Sequence, residues 1–319
     1  MTDTRKVLIT VLPLNDRHLD FLKERASGGQ FSCRMAYKQD GLTVDDVADV
    51  DAIIGNVPVP LLRSAKKLKW LQLNSAGADP YDRPGALPEG CALTTASGAY
   101  GLTVSEHMLA LTFALVRRLN QYMALRNEGR WQSCGHVTSV EGSVVLALGL
   151  GDIGGSYARK MKALGATVIG VRRHGGEKPD FIDEMRSIEE LDELLPRADI
   201  VAMALPGTPE TFRLMDERRL RLMKKSAYLI NVGRGTAVDL EALRRVLADD
   251  RLAGAALDVT DPEPLPPENP LWRMDKVIIT PHVAGYFFLA ETVNRIVRIA
   301  GENLRDWTHG FEMKGGLRR

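Results

Sequence analysis

Short apolar runs rich in valine, isoleucine and leucine alternate with longer amphipathic stretches along the whole 319-residue chain. That alternation predicts parallel sheets joined by crossover helices, an α/β fold. In the first third the predicted strands are Val7–Leu12, Phe31–Ala36, Ala52–Gly55 and Trp70–Asn74, with helical stretches between them such as Asp16–Ala26. A long helix is expected near Thr103–Gly129. Its apolar positions, Val104, Met108, Leu109, Leu111, Leu115, Val116 and Leu119, cover a broad face, which predicts extensive burial. A second series begins at Ser143, with strands at Val144–Leu148, Thr167–Val171, Ile200–Ala204, Ala227–Val232, Gly254–Asp258 and Val277–Thr280. Helix starts fall between them. Ser187-Ile188-Glu189-Glu190 reads as a capping box, and Asp239 can cap Leu240–Leu247. A last helix is expected near Leu289–Trp307, and the chain is expected to return there to its first domain.

One turn in this pattern carries chemistry. Gly149-Leu150-Gly151-Asp152-Ile153-Gly154 follows the apolar run Val144–Leu148 and opens a helical stretch. A strand, a glycine turn and a helix N-terminus form the setting that binds a dinucleotide pyrophosphate. The first glycine makes the turn, the second admits the phosphates and the third lets helix and strand close up. The helix N-terminus adds free N–H groups and partial positive charge. The motif normally begins a domain, so residues 1–148 must largely form something else.

Composition excludes more than it selects. Lysine and arginine number 42 against 41 acidic residues, so the formal charge of +1 favours neither nucleic acid nor an anionic membrane. The most basic stretch, Arg218 to Lys225, follows Asp216 and Glu217 and reads as a solvated helix face. Cys33, Cys91 and Cys134 lie far apart with no metal or redox spacing, which suggests a reduced, cytoplasmic setting. No cluster has metal-ligand spacing. The five prolines of 262–270 read as a stiff, ordered loop, because proline fixes φ.

Four further segments fall at carboxyl ends of predicted strands, where ligands bind in open α/β sheets. They are Leu205-Pro206-Gly207-Thr208-Pro209, Asn231-Val232-Gly233-Arg234-Gly235, Asp258-Val259-Thr260-Asp261-Pro262-Glu263-Pro264 and Thr280-Pro281-His282-Val283-Ala284-Gly285. Singly, Arg234, Glu263 and His282 each have a bland reading, as a turn arginine, a surface carboxylate and a structural histidine. Jointly they place a cation, a carboxylate and an imidazole along one edge of one sheet, a combination that packing does not explain.

The order GLGDIG, LPGTPET, NVGRG, DVTDPEP and TPHVAG resembles the D-isomer-specific 2-hydroxyacid dehydrogenases, of glyoxylate/hydroxypyruvate reductase type. Asn74–Asp79 and Val104-Ser105-Glu106-His107 extend the likeness over nearly the whole chain. The resemblance implies a Rossmann-type dinucleotide-binding domain, 102–286, inserted in a flavodoxin-like α/β substrate domain, 1–101 with 287–319. It implies that Arg234 binds the substrate carboxylate, that His282 is the general acid/base and that Glu263 is its paired carboxylate. Ala76, Gly77 and Tyr100 would join Arg234 and His282 around the substrate. Thr103, Gly149, Gly151, Asp152, Ile153, Gly154, Leu205, Pro206, Thr211, Val232, Asp258 and Gly285 would meet the cofactor, Asp258 at the nicotinamide carboxamide. A homodimer built on the nucleotide domain is also implied. Formate dehydrogenase, a relative, has glutamine beside the histidine, so Glu263 argues against that activity. A dinucleotide-sensing, corepressor-like protein on the same fold is the alternative from another class, since such relatives can keep the Arg–Glu–His set.

The chemistry agrees with those roles. Hydride attack on a 2-oxo acid builds negative charge on the carbonyl oxygen. An imidazolium can quench it by proton transfer, and a guanidinium can stabilise it while gripping the carboxylate at two points. A neighbouring carboxylate favours the charged imidazole. At the end of the second nucleotide-domain strand, an acidic residue would bind ribose hydroxyls and repel a 2′-phosphate. This chain has Val171-Arg172-Arg173-His174 there, so NADP(H) is expected to be preferred, with NAD(H) possible. Trp131 reads as a packing residue, or one that lines the cleft or sits in a dimer contact; His107 reads as a structural hydrogen-bonder; His136 reads as a surface-loop residue, with reach to the substrate site as the alternative.

Overall fold

The computed structural model describes residues 3–173 and 177–316. Its contacts divide the chain into two compact units, 1–100 with 286–319, and 101–285.

The first unit runs β1 (Thr4–Thr10), α1 (Asp16–Arg25), β2 (Ser32–Lys38), α2 (Val44–Ala48), β3 (Ala52–Ile54), α3 (Val59–Leu62), β4 (Trp70–Gln72) and β5 (Ala92–Thr94), and ends with the C-terminal helix Ala290–His309. Among the described residues these strands form one parallel five-stranded sheet, ordered β2-β1-β3-β4-β5, the flavodoxin-like order. Ala52, Ile53 and Ile54 of central β3 are fully buried, as expected of a strand covered on both faces. Strand β5 extends the four strands legible in the sequence. Its Ala-Leu-Thr sequence holds a single large apolar residue and so gives no apolar run to mark it. The C-terminal helix packs on α1 and puts Trp307 against Phe31 and Trp70, at ring-centroid separations of 4.9 and 5.5 Å. Buried Asn303 on that helix donates to Gln72 Oε1 and to the Lys314 carbonyl, which anchors the tail. Asn56 orders the loop after β4: its Oδ1 accepts from the Asn74 amide and its Nδ2 donates to Ser75 Oγ.

The second unit opens with α4 (Gly101–Val116) and α5 (Leu119–Asn127). The sequence suggested one continuous helix here. The break falls at Arg118, whose φ of 57° lies in the left-handed region and cannot continue an α-helix. Val104, Met108, Leu111, Leu115 and Val116 of α4 are buried, whereas α5 buries none of its residues. There follow β6 (Val144–Leu148), α6 (Asp152–Ala163), β7 (Thr167–Arg172), β8 (Glu184–Ser187), α7 (Leu191–Leu194), β9 (Ile200–Met203), α8 (Glu217–Leu222), β10 (Tyr228–Asn231), α9 (Leu240–Ala248), β11 (Gly254–Leu257) and β12 (Val277–Ile279). Among the described residues they form a seven-stranded parallel sheet, ordered β12-β11-β10-β9-β6-β7-β8. Six strands were legible in the sequence, and the seventh is β8. Its sequence Glu-Met-Arg-Ser is polar because it lies on the edge and remains partly exposed, so it lacks the apolar run of its neighbours. The expected caps are present: Ser187 forms a capping box and Asp239 Oδ1 accepts from the Ala242 amide. The basic stretch is ion-paired along its length, Arg218 and Arg219 to Asp192, Arg221 to Glu217 and Asp249, and Lys224 to Asp199.

Candidate active site

Strand order reverses at β6, which pairs with β7 on one side and β9 on the other, so the glycine turn leaves the sheet at its topological switch point. Gly149 has φ +89°, and a Cβ there would lie 2.8 Å from the Ala204 carbonyl oxygen. A Cβ on Gly154 would lie 1.9 Å from the Gly149 carbonyl oxygen, so only hydrogen lets the helix start close on the strand end. Gly151 differs. A Cβ there meets no described atom within 4 Å, and the residue is the exposed N-cap of α6. The turn is thus closed on the protein side and open beyond Gly151, which suits a pyrophosphate resting on the free amides of a helix start. Asp152 turns the other way: its Oδ2 accepts from the Gly101 amide at 2.6 Å and so caps α4.

At the end of β7, Arg172 donates from Nη2 to the Leu150 carbonyl at 3.4 Å, which seats its guanidinium on the glycine turn. Arg173 is exposed and pairs with Glu210 Oε2 at 3.5 Å. Hydrogen bonding from Thr208 and the nearby Arg173 hold Glu210 below the usual carboxylate range. His174, the third member of the basic group, lies outside the described residues. The loop after β9 is closed internally: Thr211 Oγ1 donates to the Pro206 carbonyl at 2.8 Å and accepts from the Thr208 amide. Leu205 is partly buried and Pro206 exposed.

The three candidate catalytic side chains come from the ends of adjacent strands β10, β11 and β12. After β10, buried Asn231 ties its turn: Oδ1 accepts from the Gly233 amide and Nδ2 donates to the Arg234 carbonyl. Val232 is buried there, and Arg234 directs Nη1 to the Gly233 carbonyl at 2.8 Å. After β11, Glu263 Oε1 accepts from the Thr260 amide at 3.0 Å, while Thr260 Oγ1 donates to the Pro262 carbonyl. The proline-rich loop is ordered further on by Trp272, whose Nε1 donates to the Pro266 carbonyl. After β12, His282 Nδ1 lies 2.8 Å from Glu263 Oε2. A carboxylate only accepts, so Nδ1 carries the hydrogen and Nε2 is left for other chemistry. The His282 side chain is half exposed, at 52%.

Asp258 is 2% exposed. Its carboxylate accepts from Thr280 Oγ1 at 2.6 Å and from the amides of Val283 and Ala284 at 3.0 and 3.1 Å. It therefore clamps the segment that carries His282, a role that sequence reasoning did not anticipate. Thr103 Oγ1 reaches the Ala284 carbonyl, next to Gly285. In the first unit, Ala76 and Gly77 lie in the loop after β4, where Ser75 Oγ donates to the Gly77 carbonyl. Tyr100 is buried and its hydroxyl donates to the Asn74 carbonyl at the start of that loop. Burial pushes its phenol above the usual tyrosine range. Trp131 and His136 are exposed. Among the described residues, no group of three or more histidine, cysteine or carboxylate side chains could hold a metal ion, and no helix is long and apolar enough to cross a membrane.

A dinucleotide turn at a switch point, beside an imidazole–carboxylate pair and an arginine on strand ends of the same sheet, is the equipment of a nicotinamide-dependent oxidoreductase. Residues 109–284 match the family model for the NAD-binding domain of the D-isomer specific 2-hydroxyacid dehydrogenases. A glyoxylate reductase of Thermofilum pendens is 32% identical over 268 residues, covering 81% of this chain and 78% of the relative. A family member from Aeromonas salmonicida superposes with a TM-score of 0.83 at 29% identity, covering 98% and 99% of the two chains. Another from Xanthobacter autotrophicus, solved with NADPH and MES, gives 0.79 at 28% identity, covering 98% of each. The chain belongs to the D-isomer specific 2-hydroxyacid dehydrogenase family and is an NAD(P)-dependent oxidoreductase of that kind.

Proposed function

We propose that the protein reduces a small 2-oxo acid of the glyoxylate or hydroxypyruvate type to the D-2-hydroxy acid, with NADPH preferred over NADH. The observation that carries this reading is the 2.8 Å contact between His282 Nδ1 and Glu263 Oε2. It leaves Nε2 to deliver a proton to the carbonyl oxygen, with the ring held in place by the carboxylate. Arg234 binds the substrate carboxylate and stabilises charge on the keto oxygen. The Ala76 and Gly77 amides are assigned to the same carboxylate, and Tyr100 and Asn56 keep their loop in place.

The glycine turn with Ile153, the loop Leu205–Thr211, Val232, Thr103, Asp258 and Gly285 are assigned to the cofactor, which supplies the hydride when bound. Arg172, seated on the Leu150 carbonyl, and Arg173 support the NADPH preference, since paired guanidinium groups match a phosphate dianion. The family relation and the exposed apolar side chains Leu119, Met123 and Trp131, at 50, 56 and 104% exposure, support a homodimer formed through the unit 101–285. Sedimentation at the monomer mass would overturn that part.

The deciding experiment is a panel of 2-oxo acids assayed with NADPH and with NADH. Turnover of glyoxylate or hydroxypyruvate, faster with NADPH, is expected. Dinucleotide binding without turnover of any acid would favour the sensing protein instead.

A further inference from the structure

His282 stands in an unusual backbone state. Its φ is +52°, in the left-handed region that a residue with a Cβ rarely adopts. Such a state persists where the surroundings over-determine it. Here they do: the His282 amide donates to the carbonyls of Asp258 and Thr280, and the next two amides go to the Asp258 carboxylate.

Helix α4 braces this segment from outside. Thr103 and His107 stand four residues apart on one helical face. Thr103 Oγ1 donates to the Ala284 carbonyl at 3.3 Å, beyond His282, and His107 Nε2 lies 3.1 Å from Thr280 Oγ1, before it. The direction of the second bond follows from its neighbours. Thr280 spends its one hydrogen on Asp258 Oδ1 at 2.6 Å, so its oxygen can only accept from His107. His107 Nε2 therefore carries a hydrogen. The same nitrogen lies 3.6 Å from Asp258 Oδ1, so it also faces the carboxylate directly.

We infer that His107 is a positioning residue for the reaction. The hydrogen bond from its Nε2 to the Thr280 hydroxyl, which in turn donates to the Asp258 carboxylate, holds the 280–284 segment in the conformation that presents His282 to Glu263. It touches no reacting group itself. The inference rests on the reading of His282 as the proton donor.

The test compares His107→Leu, His107→Gln and His107→Asn in the full chain. Glutamine places a donor nitrogen at the reach of imidazole Nε2, and asparagine falls short of it. Three quantities are read: kcat and KM with glyoxylate and NADPH, the dissociation constant of NADPH, and amide hydrogen exchange of a peptide spanning 280–285. In the leucine variant kcat is expected to fall by about tenfold to a hundredfold, the scale of a small misplacement of a catalytic group. KM for glyoxylate should hold steady, NADPH binding should weaken by less than kcat falls, and exchange at 283 and 284 should quicken. Glutamine should restore both rate and protection, and asparagine neither. Equal behaviour of the glutamine and asparagine variants overturns the inference, as does unchanged exchange in all three. If leucine prevents folding, the glutamine–asparagine pair decides. If the wild-type protein turns over no 2-oxo acid, the proposed reaction fails separately, and the exchange data still decide whether His107 braces the segment.

Discussion

Glu263 faces two partners at once: Oε2 meets His282 Nδ1 at 2.8 Å, and Oε1 accepts the Thr260 amide at 3.0 Å. The second bond fixes the carboxylate at the strand end, so the first orients the imidazole. Glu263→Gln keeps the shape and the reach but removes the charge. A neutral amide can accept only one of the two hydrogens that the carboxylate accepts, from His282 Nδ1 and from the Thr260 amide, so the proposed proton donor loses its fixed orientation. The kcat for 2-oxo acid reduction should therefore fall by about tenfold to a hundredfold, the scale of a small misplacement of a catalytic group. Wild-type kcat in this variant would separate Glu263 from the reaction.

His282→Ala removes the proposed proton donor outright. General acid catalysis contributes about 10²- to 10⁴-fold, so kcat should fall within that range. Dinucleotide binding should survive, because the glycine turn after β6 is a separate structure. Stopped-flow and equilibrium fluorescence measurements check the two parts. Near-wild-type turnover would remove His282 from the mechanism.

The glycine turn yields a contrast between two neighbours. A methyl group on Gly154 would collide with the Gly149 carbonyl, whereas one on Gly151 reaches no described atom within 4 Å. Gly154→Ala should therefore lower both thermal stability and dinucleotide affinity, because backbone must move. Gly151→Ala should leave the melting temperature unchanged and weaken only the dinucleotide, whose phosphates need that space. Differential scanning fluorimetry with and without NADPH distinguishes the two. A stability loss in Gly151→Ala equal to that in Gly154→Ala would contradict the geometry.

These features were unequally legible in the sequence. The turn at 149–154 and the strands around it announce themselves, because buried parallel strands are continuous apolar runs and the turn needs glycine in fixed order. Arg234, Glu263 and His282 could be placed by following each of those runs to its end. Strand β8 escaped because an edge strand keeps polar residues, and the α4–α5 break escaped because Arg118 carries no glycine or proline signal for its left-handed φ. The clamp at Asp258 was invisible for another reason. Its acceptors serve Thr280, Val283 and Ala284, donors more than twenty residues later that only the β11–β12 pairing brings near. Asp152 and Tyr100 likewise show their hydrogen bonds, to the Gly101 amide and the Asn74 carbonyl, only in the folded chain.

The proposed NADPH preference rests on two arginines that differ in how firmly they are held. Arg172 is partly buried and tied to the Leu150 carbonyl, while Arg173 is exposed and shares its charge with Glu210. A 2′-phosphate bound by the arginines would compete with Glu210 for Arg173, so Glu210 should temper the proposed preference. Arg172→Asp should reverse that preference, raising KM for NADPH and lowering it for NADH, because a carboxylate there repels phosphate and accepts ribose hydroxyls. Glu210→Gln should act in the opposite sense, lowering KM for NADPH with kcat unchanged. An exposed, solvent-screened pair contributes little, so that shift should not exceed about fivefold, and it should shrink as salt is added. Steady-state assays with both cofactors at low and high ionic strength measure all of this. An Arg172→Asp enzyme that still prefers NADPH would move the discrimination elsewhere in the site.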